Sequence, residues 1–86
     1  MQGNPNIDVP VIVSGEEVTV QVNPHVKVSE LVRKALHESG NAGQQPSDWV
    51  LRSDAGTIGQ DQTITEAGIT AGMKLYLNPA AGEGGC

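Results

Sequence analysis

The residues best suited to chemistry stand at the carboxyl end, in the run Ala80-Ala81-Gly82-Glu83-Gly84-Gly85-Cys86. Gly84 and Gly85 present no Cβ, so a narrow tunnel in another protein could close around their backbone and hydrogen-bond it. A glycine-rich end is also ordinary slack, and the ending alone does not choose between the two. Cys86 is the only cysteine, which excludes an intramolecular disulfide and any Cys-rich zinc or iron–sulfur site. No basic residue is close to it in sequence, so a reactive-thiol role lacks the local cation that would activate it. His25 and His37 are isolated and read as surface histidines rather than metal ligands or bases. The sequence has no paired carboxylates, no nucleophile–histidine pair and no phosphate loop, since Gly82-Glu83-Gly84-Gly85 follows a strand but opens no helix.

Composition narrows the partners. The chain has 86 residues and a formal charge of −5, so clustered cations for nucleic acid or an anionic membrane surface are missing and a basic protein cleft suits it better. There is no Phe, one Trp and one Tyr, so the core is built from Val, Ile and Leu, a β-branched bias that favours strands. No apolar run is long enough to span a bilayer, and no charged-then-apolar start marks a signal peptide. The expectation is one small cytoplasmic domain, monomeric when free, with no cofactor of its own.

The elements that position the tail follow from periodicity. After a polar lead of residues 1–6, Ile7, Val9, Val11 and Val13 alternate with Asp8, Pro10, Ile12 and Ser14. Val18, Val20 and Val22 repeat the pattern after a Gly15 turn, which predicts a β-hairpin with one valine-lined face. Pro10 cannot donate to a ladder and belongs at an edge, a bulge or a strand start, so regular pairing is expected to be clearest from Val11 onward. Val28, Leu31, Val32, Ala35 and Leu36 form one helical stripe, with Ser29 as candidate cap, a Glu30–Lys34 pair on the exposed side and Gly40 as terminator. Trp49 to Ser53 reads as a strand, and Thr63 to Glu66 has capping-box spacing for a short helical turn. Met73 to Asn78 reads as the last strand, ended by Pro79.

One helix cannot cover two sheet faces, so it packs on the valine side and leaves the other wet. With the first and last strands as parallel central neighbours, the order describes an α+β fold, a β-grasp. It is a mixed four- to five-stranded sheet with one main helix on one face and a short helical turn before the last strand. The domain spans 7–79 and the tail 80–86. The wet face carries Ile12, Val50, Arg52, Lys74 and Tyr76, a small apolar patch with a cationic rim and a candidate docking surface. Trp49 and Leu51 then turn toward the core.

The hairpin, the helix VSELVRKALHESG, the segment QTITEAGITAGMKLYLN and the diglycine end stand in the order and spacing of ubiquitin-like proteins. Over roughly Ile7 to Gly85 the chain resembles that family, and within it the small bacterial modifiers encoded beside an activating enzyme, a conjugating enzyme and a JAB-type metallopeptidase. The resemblance implies a covalent protein modifier. The Gly85 carboxylate would be adenylated with ATP held by the activating enzyme, passed on as a thioester and joined to target proteins. Gly84 and Gly85 would thread the partners' active sites. A peptidase would first cut between Gly85 and Cys86, since the family's chemistry uses a terminal glycine. The chain would be a substrate, not an enzyme.

Two departures stand out. Ubiquitin's tail carries arginines where this one has Ala80, Ala81, Gly82 and Glu83, and Asn78 stands about where ubiquitin has an apolar contact residue. A sulfur carrier ending in a thiocarboxylate and a non-covalent binding module remain alternatives. Lys27, Lys34 and Lys74 are the only lysines and nothing in the sequence selects one as a self-acceptor.

Overall fold

The computed structural model describes residues 6–41 and 43–80. The chain runs β1 (Ile7–Val13), β2 (Glu16–Val22), α1 (Val28–Glu38), a short 3-10 helix (Pro46–Asp48), β3 (Trp49–Ser53), β4 (Gly56–Ile58) and β5 (Leu75–Pro79). The five strands form one mixed sheet in the order β2-β1-β5-β3-β4. β1 and β5 are parallel central neighbours, as the crossover rules require, and the other pairings are antiparallel.

Ser14 and Gly15 both take positive φ, 50° and 92°, the backbone of a tight turn whose twist matches the strands it joins. The ladder of this hairpin runs unbroken from Ile7↔Val22 to Val13↔Glu16, so pairing is as regular before Val11 as after it. The reason is parity. Gly72 N–H donates to the Asp8 carbonyl and Ser14 N–H to the Leu77 carbonyl, so even-numbered residues of β1 turn their backbone groups toward β5. Pairing with β5 begins only at Val11↔Leu75. The N–H that Pro10 lacks points to the one stretch where no ladder needs it.

All five residues of the predicted helical stripe are buried. The ends of α1 differ from expectation at one terminus only. Lys27, not Ser29, is the N-cap, and no side chain caps it. Instead the orphan N–H groups of Val28 and Ser29 donate to the Gln62 and Gln60 carbonyls at 2.8 and 3.3 Å, so a neighbouring backbone does the work of a cap. At the other end Gly40 has φ 85°. Asn41 N–H bonds the Leu36 carbonyl and Gly40 N–H the His37 carbonyl, which is a Schellman motif. The expected Glu30–Lys34 pair is replaced: Glu30 pairs with Arg33 at 3.1 Å, and Lys34 Nζ reaches across to the Gln21 carbonyl at 3.2 Å.

The capping box at Thr63 forms both of its reciprocal bonds. Glu66 N–H donates to Thr63 Oγ1 and Thr63 N–H to Glu66 Oε1, closing a single turn that delivers Ile64 and Ile69 into the core. β5 starts at Leu75, two residues later than expected, because Met73 N–H is used in a turn to Thr70. Val9, Val11, Val20, Val28, Leu31, Val32, Leu51, Leu75 and Leu77 make up most of a core that excludes every charge among the described residues.

Candidate functional site

Leu75 and Leu77 lie in the core at 0% exposure, and strand alternation therefore sends Tyr76 and Asn78 to the opposite face. The register then aligns residues that the sequence could place only on a common side. Ile12 pairs with Tyr76 across β1 and β5, and Tyr76 with Arg52 across β5 and β3. These three form one row across the centre of the wet face, spanning about 10 Å at the usual strand spacing. Val50 sits beside Asn78 in the next row, and Lys74 is exposed just before β5, outside its register.

Tyr76 is the most open large apolar residue described, at 37% exposure, while Ile12 and Val50 are half-buried and Arg52 and Lys74 exposed. The ring can accept an apolar contact while the two cations supply a rim. The same row extends to Glu17 beyond Ile12 and to Thr57 beyond Arg52, so an acid flanks one end and a cation the other. Half-buried Pro10 belongs to this face as well, two residues before Ile12. In the sequence Pro10 reads only as an obstacle to pairing. Its shared parity with Ile12 was the signal that it widens the patch. Trp49 and Leu51 are buried as expected, at 8% and 0% exposure.

The tail leaves from a defined point. Pro79 does not stop β5 but is its last residue, opposite Trp49. Ala80 N–H donates to the Asp48 carbonyl at 2.9 Å, so the chain is held to the domain one residue further than expected. Gly84, Gly85 and Cys86, the predicted activation and cleavage residues, lie outside the described residues, as do residues 1–5 of the lead. Gly85 is five residues beyond Ala80, a maximum reach of about 17–18 Å. This is shorter than the span of about 23–25 Å available if the tail were free from Asn78.

No group of three His, Cys, Asp or Glu side chains converges as a metal site among the described residues. No described helix is long and apolar enough to cross a membrane.

A five-stranded mixed sheet with one main helix packed on it and a capped turn before the last strand defines a ubiquitin-like β-grasp. Solved structures agree. A de novo protein designed on ubiquitin superposes with TM-score 0.77 at 22% identity, covering 92% of this chain and 94% of the design. The UBL domain of Plasmodium falciparum Dsk2 superposes with TM-score 0.71 at 18% identity, covering 87% and 99%. ATBAG1, solved in complex with HSP70, gives 0.71 at 18% identity over 91% of this chain and 44% of its own. At these identities the likeness is one of fold. Residues 2–85 match the family model described as "Protein of Unknown function (DUF2604)", and the chain belongs to that family. An uncharacterized protein, y4jI, of Sinorhizobium fredii is 30% identical over 84 residues, 96% of this chain. The chain spans 65% of the length of that curated relative.

Proposed function

We propose that this chain is a ubiquitin-like protein modifier of the bacterial kind, acting in the cytoplasm as a substrate of other enzymes. A JAB-type or other peptidase hydrolyses the Gly85–Cys86 bond. The freed carboxylate attacks the α-phosphate of ATP on an activating enzyme, and pyrophosphate leaves. An enzyme thiolate displaces AMP to give a thioester, which passes to a conjugating enzyme. A nucleophile on the target then displaces the thiol. The observation that carries the reading is a ubiquitin-like body whose last strand leads, through Ala80, to Gly84-Gly85 within reach of a partner's closed site. The Ile12–Tyr76–Arg52 row, flanked by Val50 and Lys74, serves as the docking face for these partners.

A second reading draws on different observations. Ubiquitin-like folds also sit inside longer chains, as the 44% coverage of ATBAG1 illustrates, and this chain matches only part of its rhizobial relative. A non-covalent binding module would use the same sheet face and dispense with the tail. A sulfur carrier is the remaining alternative.

Intact-mass measurement on protein recovered from its native host separates them. The modifier predicts a form ending at Gly85. A terminal thiocarboxylate would transfer the assignment to sulfur carriage, and exclusive recovery of unprocessed chain would favour the binding module.

A further inference from the structure

β5 finishes between two unlike neighbours, β1 on one side and β3 on the other. On the first side stands the β1–β2 turn, with Ser14 N–H on the Leu77 carbonyl. It carries Glu16 and Glu17, both exposed. On the second side stand the 3-10 helix and the start of β3, with Trp49 opposite Pro79. This side already holds the departing chain, since Ala80 N–H donates to the Asp48 carbonyl at 2.9 Å. The one charged residue beyond Ala80 is Glu83. Its carboxylate is repelled by the turn and led toward β3.

Past the 3-10 helix the sheet margin is notched. β4 pairs only with Leu51 to Ser53, so Trp49 and Val50 have no strand on that side. The notch has a volume of about 580 Å³, with Pro46, Trp49 and Ile58 as its apolar wall and Lys27 and Asp61 among its polar residues. Lys27 is exposed and, like Asp61, takes part in no ion pair among the described residues. Trp49 is 8% exposed, and among the described residues no protein acceptor meets its indole N–H. A donor on so buried a side chain is costly to leave without an acceptor.

We propose that this notch is the docking site of the chain's own residues 81–85, which lie outside the described residues. Glu83 pairs with Lys27, and a tail carbonyl accepts the Trp49 indole N–H. The length fits. Three residues carry the backbone from Ala80 to Glu83, a reach of about 10–11 Å, and the notch lies two strand spacings from β5, about 10 Å. Gly82 and Gly84 let the backbone lie flat on Pro46 and Trp49, where a side chain would hold it off. The tether favours this tail over that of a second copy, because it sets an effective concentration on the order of millimolar. The contact needs no cleavage or transfer and holds whether or not the tail is conjugated. A partner that takes Gly84-Gly85 must first part Glu83 from Lys27.

The test is paramagnetic broadening in the NMR spectrum of the full chain, with a nitroxide on Cys86, the only cysteine. At low salt the label should broaden the Trp49 indole N–H and the Ser47 and Thr57 amides about twofold more than those of Ser14 and Gly15, which hold the matching place across β5. Glu83→Lys and Lys27→Glu should each abolish that bias, and the exchanged pair Glu83→Lys/Lys27→Glu should restore it. An acid at position 27 suits the start of α1. Should a variant unfold, raising the salt to about 0.5 M with the native sequence carries the test, because screening should remove the bias. Equal broadening on the two sides, a bias that survives Glu83→Lys or high salt, or one that the exchanged pair fails to restore would overturn the proposal. So would the same broadening in isotope-labelled chain without a nitroxide when nitroxide-bearing chain is mixed in, which would give the notch to a second copy's tail.

Discussion

Leu77→Ala and Tyr76→Ala change neighbouring residues that the sheet sends to opposite faces. Leu77 is 0% exposed and lies between Val13 on β1 and Leu51 on β3, both themselves buried. Truncation there removes the transfer energy of the lost methyl groups and leaves a cavity that two fixed strands cannot close, a cost of about 3–4 kcal/mol. A domain of this size holds roughly 4–13 kcal/mol in total, so the loss is a large share of it. Tyr76, at 37% exposure on the wet face, loses cross-strand contact with Ile12 and Arg52, worth about 1 kcal/mol. Trp49, the only tryptophan and 8% exposed, reports unfolding by its fluorescence. With a urea slope of about 1 kcal/mol per molar, the midpoint should fall by about 3–4 M for Leu77→Ala and about 1 M for Tyr76→Ala. Equal shifts would refute the two-faced placement of β5. The smaller shift also matters for function, because Tyr76→Ala should impair partner docking while the domain stays folded.

Gly40→Ala should cost about 1–2 kcal/mol, since a Cβ at φ 85° meets no atom within 4 Å and only the left-handed backbone is penalised. Thermal melts check it, and a neutral result would discount the Schellman ending. Gln60→Ala removes the Nε2 donor shared by the Pro46 and Trp49 carbonyls at 3.1 and 2.9 Å. It should destabilise by about 1–2 kcal/mol and red-shift Trp49 emission as the loop before β3 loosens. Thr63→Ala should cost about 1 kcal/mol through the lost capping box, seen as faster hydrogen exchange at Glu66 with the β1–β2 amides unaffected.

Much of this fold is legible in the sequence because one face of each element is apolar. The valine alternation of β1 and β2, the stripe from Val28 to Leu36, and the Leu75/Leu77 pair each fix orientation by themselves. What escaped depends on partners far along the chain. Nothing local says that Gln60 and Gln62 will cap α1, so Ser29 looked like the cap. Arg33 and Lys34 are both in range of Glu30, and only the nearness of the Gln21 carbonyl draws Lys34 away. Pro10 is harmless because β5 starts one residue later in register, a fact of pairing and not of composition. Alternation alone places Ile12, Val50, Arg52 and Tyr76 on the wet face, but the alignment of Ile12, Tyr76 and Arg52 in one row depends on the register of three strands. The 3-10 helix at Pro46–Asp48 and the three-residue β4 are too short to carry a periodic signal.

The central claim is that Gly85 becomes bonded through its carbonyl to other proteins. It is tested most directly by tryptic peptide mass spectrometry of the native host's proteome. Cleavage after Lys74 should leave Leu75 to Gly85 attached to side chains of target peptides, with Cys86 absent, and Gly85→Val should erase every such adduct. Recovery of the protein only as a free chain, with no remnant on any target even when it is abundant, would contradict the account.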